Sequence, residues 1–392
     1  MIFNRAKLFS FHAILFIFAT SFFMLLSSGF IDSQDGFQYL TIARRMYYDH
    51  TFEMPQELFP EGNIHMSLVK GSDEKIYSPT GLGYSLSLIP AVFVEDLLTD
   101  FAGVRPHTAF PLNNDWPVLL VASWINGVWA GLFVVGLYSY LRILYLSHKQ
   151  SAVLSLLLVL SSNILPYTKH SFAQMMFVTC LLYSFLNIRK AFLSDSRKSM
   201  MVAGVWFGLV VISYNPTFLF TLPALGVYYL ILLRESAYLN KVSQFLKDLF
   251  WAGFGFLPLG IAYWWFNWIR FGGVGEAGYN GGVAQGLSFP PIYVIIEGFW
   301  GLLFSPGKSI FLHSPLLLVL LVFWFKIPKR ILPELWAALV MFGVYLWFIG
   351  TLLGGPDYLV WHGESSWGPR YMLPVLPLLL LSVGVVISKL KQ

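Results

Sequence analysis

Apolar runs alternate with short polar stretches along the whole chain, at 8–30, 117–146, 150–167, 171–193, 199–213, 217–233, 249–270, 309–325, 331–354 and 369–390. Each lies near the ~20 residues that a helix needs to cross a bilayer. Tyr214-Asn215-Pro216 interrupts the pair at 199–233, because proline ends one helix and opens the next. The first run follows Arg5 and Lys7 and exceeds a signal-peptide core of about 7 to 15 residues, so an uncleaved span is expected.

Basic clusters orient these runs. Arg5/Lys7, Arg142/Lys149, Arg189/Lys190/Arg197/Lys198, Arg234/Lys241/Lys247, Lys326/Lys329/Arg330 and Lys389/Lys391 fall at alternate ends of the spans. The positive-inside rule makes those ends cytoplasmic, with both termini inside. The segment 79–98, "PTGLGYSLSLIPAVFVEDLL", is apolar enough to span, but counting it would put Arg142 and Lys149 outside. An interfacial helix on the outer face is the expectation, and 291–304 invites the same reading. The predicted fold is all-α: a polytopic bundle of about 10–11 transmembrane spans with interfacial helices in the first outer loop. Residues 1–392 form a single membrane domain, with 31–116 as the first outer loop and 355–370 as the last.

Composition agrees. The 392 residues are 57% hydrophobic and 11% charged, with a mean hydropathy of +0.66. Soluble domains carry about 25% charged residues, so lipid must solvate much of this surface. The net charge of +5 is scattered between apolar runs, which excludes a nucleic-acid interface. Cys180 is the single cysteine, so no intrachain disulfide exists; the count suits a bacterial inner membrane protein.

Candidate chemistry concentrates in the outer loops, where ionisable groups at membrane depth mark function. "IDSQDGFQYLTIARRMY" at 31–47 carries Asp32 and Asp35 ahead of an amphipathic helix at 37–48 that reads as lying on the bilayer, with Arg44 and Arg45 among its apolar positions. Either acid could simply cap that helix. "GGPDYLVWHGESSWGPRYMLP" places Trp361, His362, Glu364, Trp367 and Arg370 before the final span. The tryptophans alone fit an aromatic belt. Arg370 defies the charge rule, and a guanidinium there suits a phosphate. "LPYTKHSFAQ" at 165–174 sets Lys169 and His170 in a tight outer turn. "NWIRFGGVGEAGYNGG" at 267–282 is a glycine-rich loop with Arg270 and Glu276, either a lid or a plain surface loop. There is no HExxH motif or cysteine pair, and the eight histidines lack ligand spacing, so neither metal nor cofactor is expected.

"DGFQYLTIARRMYYDHTFEMP" followed by "EKIYSPTGLGYSL" resembles the first outer loop of GT-C glycosyltransferases. These polyprenyl-phosphate-sugar-dependent enzymes include protein mannosyltransferases and lipid A aminoarabinose transferases. "GLLFSPGKSIFLHSPLLL" and "GESSWGPRYMLPVLPLLLL" are similar to later segments of the superfamily. The resemblance implies that Asp35, with Tyr39 and Ile42-Ala43-Arg44 at the family's spacing, is the catalytic base, ahead of Asp32. Lys75 and Pro79 match a basic residue and a proline that opens a juxtamembrane helix. Many members carry a second acid in the next outer loop; this chain has Lys169, His170 and Gln174 there, which puts metal dependence in doubt.

The implied reaction moves a sugar from a polyprenyl-phosphate donor to a glycan, lipid or protein acceptor at the outer face, with inversion. Asp35 would take the acceptor proton. Lys75 and Arg370 would hold the phosphate, with Lys169 in reserve. Tyr39, His170, Glu364 and Trp367 complete the expected substrate-binding set. Membrane lipid is the remaining partner. The rival readings are a lipid-linked sugar flippase and a non-catalytic polyprenyl-lipid-binding protein.

Overall fold

The computed structural model describes residues 5–31, 33–55, 68–102, 116–213, 217–276, 278, 291–351, 353–355, 358–359 and 366–390. In chain order its α-helices are α1 (Arg5–Leu25), α2 (Gln34–Arg44), α3 (Leu82–Ala102), α4 (Trp116–Ile143), α5 (His148–Leu160), α6 (Ile164–Tyr167), α7 (Gln174–Ser194) and α8 (Arg197–Ser213). They continue as α9 (Leu222–Glu235), α10 (Lys241–Phe271), α11 (Ile292–Phe304), α12 (Ile310–His313), α13 (Leu318–Val322), α14 (Leu332–Thr351) and α15 (Leu376–Leu390). Two short hairpins pair Val69–Lys70 with Ile76–Tyr77 and Leu353–Gly355 with Tyr358–Leu359.

Among the described residues, six helical segments are long and apolar enough to cross a membrane: Val118–Ile143, Gln174–Ser194, Thr217–Glu235, Lys241–Phe271, Lys329–Gly350 and Arg370–Leu390. Phe11–Leu25, His148–Leu160 and Ile292–Phe304 are shorter apolar helices. The expected run at 309–325 is broken. Ser314 leaves helical geometry at φ −142 and Pro315 starts a new short turn, so α12 and α13 replace one continuous helix. The Tyr214-Asn215-Pro216 break lies outside the described residues.

Two helices show how the apolar pattern is used. α15 is apolar on all sides and buried on all sides, packing on α4, α5, α7 and α14. On α10 the apolar side chains Phe250, Phe254, Leu257, Ile261, Trp264 and Trp268 face outward, as a lipid-facing helix requires. α10 meets α8 backbone to backbone: a Cβ on Gly204 would strike the Ala252 carbonyl, and one on Gly255 the Met201 carbonyl. Small residues serve this purpose where helices associate in lipid.

The segments that carry four of the expected basic clusters touch one another at one end. Arg189 donates to the Arg330 carbonyl at 3.2 Å, Arg330 stacks over Tyr145 at 5.7 Å, and Tyr238 reaches Asp195 at 2.9 Å. Nearby, Glu334 of α14 is fully buried, accepts from Tyr140 and Tyr228 at 3.1 Å each, and lies 3.7 Å from Arg189. This polar knot joins α4, α7, α9 and α14, and nothing in the hydropathy pattern announced it. The 21 residues of α7 carry the chain to the other end, a rise of about 30 Å, which matches the hydrocarbon thickness of a bilayer.

At that other end α2 and α3 form a unit. The helix expected at 37–48 runs from Gln34 to Arg44 and continues as one π-helical turn, Arg45–Asp49, closed by His50 at φ 53. Arg44, expected on the bilayer surface, is buried: its Nε donates to Glu95 of α3 at 3.0 Å, and its Nη2 bonds the same carboxylate. Tyr47 donates to Asp96 at 2.9 Å. The acids of "AVFVEDLL" therefore fasten α3 to α2. Arg270, expected in a glycine-rich loop read as either a lid or a plain surface loop, is 1% exposed and donates to the Ser78 and Thr80 carbonyls and to Asn267. It holds the entry to α3 in place. The loop ahead of it is described only in part, and 277 and 279–290 lie outside the described residues.

Candidate functional site

Ser33 caps α2: its Oγ accepts from the Gly36 N–H at 3.0 Å. The capping alternative for Asp35 is thus answered, since Ser33 does that work and leaves Asp35 in the first turn with its carboxylate available. An acid there is also favoured by the helix dipole. Asp32 lies outside the described residues. A Cβ on Gly36 would strike the Ser171 carbonyl, so its hydrogen lets the turn after α6 press against α2.

That turn is held from within the bundle. Asn126 of α4 donates through Nδ2 to the Tyr167 carbonyl at 3.2 Å, to the Phe172 carbonyl at 2.9 Å, and to the His170 carbonyl. Tyr167 donates its hydroxyl to the Trp367 carbonyl at 2.6 Å. The turn after α6 and the segment around Trp367 are thereby joined. Gly368, at φ +57, packs against Asn163 and His313 and turns the chain into Arg370.

Arg370 Nη1 donates to Asp35 Oδ2 at 3.1 Å, and Nη2 donates to the Tyr371 hydroxyl at 3.0 Å. The guanidinium carbon lies 5.3 Å from the Phe172 ring centroid and 4.9 Å from that of Tyr371. Aromatic faces stabilise a cation at such distances. The Arg370 side chain is 14% exposed and that of Asp35 34%, so the carboxylate is the accessible member of the pair.

Lys308 adds a second cation. It follows α11, and its Nζ donates to the Ser366 carbonyl at 2.5 Å. Burial and then the neighbouring charge of Arg370 push its pKa down. The sequence reading missed this residue. The available signal was the one that exposed Arg370: a basic side chain on the face where the charge rule disfavours it.

The remaining expected residues are placed as follows. Lys75 is half exposed and pairs with Glu53 at 3.0 Å, on the hairpin where Tyr77 donates to Asp73 at 2.9 Å. Burial, then the bond to Asp73, raises the Tyr77 pKa. No described contact brings Lys75 to Asp35 or Arg370. Tyr39 is 2% exposed and sits edge-on to Tyr84 at 4.9 Å, in the core under α2. Lys169 and His170 lie partly exposed in the clamped turn, next to the Asp35 side of the site. Trp367 is exposed and meets His313 edge to face at 6.2 Å. Glu364, with Trp361 and His362, lies outside the described residues. Gln174 is buried, and its amide has no hydrogen-bond partner among the described residues.

By sequence, neither a family profile nor a curated protein matches the chain. By structure, two crystal structures of ArnT from Cupriavidus metallidurans are similar. The one bound to undecaprenyl phosphate superposes with a TM-score of 0.52 and 13% identity, over 96% of this chain and 60% of ArnT. The apo structure gives 0.53 and 12%, over 98% of this chain and again 60% of ArnT. The chain therefore spans about 60% of the length of the structures it matches. What the likeness establishes, at this identity, is the fold: a predominantly helical membrane bundle of the kind seen in ArnT.

Proposed function

We propose that this protein is an inverting membrane glycosyltransferase that takes a sugar from a polyprenyl-phosphate donor. The observation that carries the reading is the Asp35–Arg370 pair at 3.1 Å, with Lys308 beside it. It occurs in a fold shared with an ArnT structure that holds undecaprenyl phosphate.

In the proposed reaction an acceptor hydroxyl or amine attacks the anomeric carbon. Asp35 takes the acceptor proton as the new bond forms. The bond between that carbon and the phosphate oxygen breaks on the opposite face, so the centre inverts. The polyprenyl phosphate leaves as an anion and needs cations more than a proton, unlike the leaving group of a glycosidase. Arg370 and Lys308 supply that charge. Lys75 is paired with Glu53, so holding the phosphate would require it to leave that partner. Lys169, His170, Glu364 and Trp367 remain candidates for the sugar and the acceptor. Tyr39 supports α2 from below. The whole chain acts as one membrane domain of a bacterial inner membrane, with 31–116 and 355–370 as its first and last outer loops and both termini in the cytoplasm.

The test is transfer of radiolabelled sugar from a polyprenyl-phosphate donor by the purified chain in nanodiscs. New glycosidic product that disappears in Asp35→Asn is expected. Lipid movement between leaflets without new product would instead identify a flippase, and unchanged transfer in Asp35→Asn would remove the base assignment.

A further inference from the structure

At the end bearing the basic clusters, two adjoining hollows share Arg197 and Lys247. The inner one is polar and contains Asp195, Tyr238, Gln244 and Asp248. The outer one is walled by Val242, Leu246, Phe250 and Trp251. Val242, Leu246 and Phe250 follow one another at intervals of four on α10 and are 58–71% exposed. They are the first rungs of the apolar stripe that continues through Phe254 and Leu257. The outer hollow is thus continuous with the lipid-facing surface.

The charges of the inner hollow are ordered. Arg197 and Lys247, at its junction with the apolar groove, make no hydrogen bond or ion pair among the described residues. Asp195 and Asp248 lie on the side away from the groove. Asp195 accepts from Tyr238 at 2.9 Å, and Asp248 accepts from Tyr229 at 2.8 Å and Gln244 at 3.0 Å. A carboxylate offers about four lone-pair sites, so each keeps room for another donor. Burial and the bond to Asp195 raise the Tyr238 pKa to about 12, which keeps it a donor at neutral pH.

From the apolar groove into the polar hollow, the lining passes from Val242, Leu246 and Phe250 to the two shared cations and then to the two carboxylates, with a net charge of zero across the four ionic side chains. We infer that this is a binding site for a zwitterionic phospholipid with a primary-amine headgroup. Its acyl chain lies along Val242, Leu246 and Phe250, its phosphate on Arg197 and Lys247, and its ammonium between Asp195 and Asp248. A singly anionic head would satisfy the cations and leave the carboxylates facing it. A quaternary ammonium lacks the N–H donors that Asp195 and Asp248 accept. The inference is independent of the sugar-transfer reading.

Native mass spectrometry of the purified full chain, exchanged against ethanolamine-, monomethyl-, dimethyl- and choline-headed lipids of identical chains and a glycerol-headed anionic lipid, tests it. The ethanolamine lipid is expected to be held about tenfold more tightly than the choline lipid, with a graded fall along the methylation series. Asp195→Asn, at an exposed helix end, should erase most of that preference. The double change Arg197→Gln and Lys247→Gln should weaken all the phospholipids. Equal retention of ethanolamine and choline lipids, or tighter retention of the glycerol-headed lipid, overturns the assignment. The headgroup series on the unaltered protein decides the matter even if a variant does not fold.

Discussion

Arg370 and Asp35 meet at 3.1 Å although 335 positions separate them in the chain. Neither is held by the other alone. Ser33 and Gly36 position the carboxylate, while Gly368, Phe172 and Tyr371 position the guanidinium. The contact is a product of the whole bundle, and its two members have separable duties in the proposed reaction.

Asp35→Asn keeps the side-chain shape and removes the proposed base. Transfer should fall by about 10²- to 10⁴-fold in single-turnover assays, the usual contribution of a general base. Undecaprenyl phosphate binding should hold or tighten, because a negative charge beside the phosphate is gone. Loss of lipid binding together with transfer would instead make Asp35 a structural partner of Arg370.

Arg370→Lys should behave much like Arg370→Ala in phosphate binding. The guanidinium spans Asp35 and the Tyr371 hydroxyl with different nitrogens and lies against two rings. An ammonium cannot reproduce that fork. A drop of about tenfold or more in affinity for undecaprenyl phosphate is expected for both, on the scale of a lost charge-assisted hydrogen bond. Retention of near-normal affinity in the lysine variant would argue that only charge matters.

Lys308 gives the site a pH signature. Its proton affinity is lowered by burial and then by Arg370. The ammonium that would hold the phosphate is present below that lowered pKa and is lost as pH rises through it. Binding should therefore weaken at a lower pH than the ~10.4 of an exposed lysine would set. Lys308→Arg should carry binding further into the alkaline range in a lipid-binding titration. An unchanged pH profile in that variant would separate Lys308 from the phosphate.

Arg44 and Glu95 form a buried ion pair, with side chains 4% and 6% exposed. Removing one partner strands the other, so Arg44→Met or Glu95→Leu alone should cost about 3–5 kcal/mol. The double variant should recover most of this in thermal unfolding, since replacing a whole buried pair by apolar side chains is often neutral. Additive losses would show that the two residues act separately.

The sequence made the helices legible because lipid demands long apolar runs; it singled out Asp35 through its spacing to Tyr39 in the resemblance and Arg370 because it defies the charge rule, and the structure brings these two side chains together. Long-range pairing was not legible. Nothing near Arg44 says that its partner is Glu95, or that Glu334 will bury itself against Tyr140, Tyr228 and Arg189. Ser33 was overlooked because two acids beside it drew the capping argument to themselves. The apolar run at 309–325 satisfied hydropathy while Pro315 broke the helix, a case in which composition and backbone chemistry disagree. Lys75 matched the resemblance, yet the hairpin gives it Glu53 as its neighbour.

The burial of α15 bears on how the protein is made. Ribosomes deliver a chain from its first residue onward, so the helices that enclose α15 enter the bilayer before it does. Until it arrives, the apolar side chains of α4, α5, α7 and α14 that pack on it lack that neighbour. Arg370 arrives with it, immediately upstream. A chain arrested during synthesis thus has neither α15 nor the cation opposite Asp35.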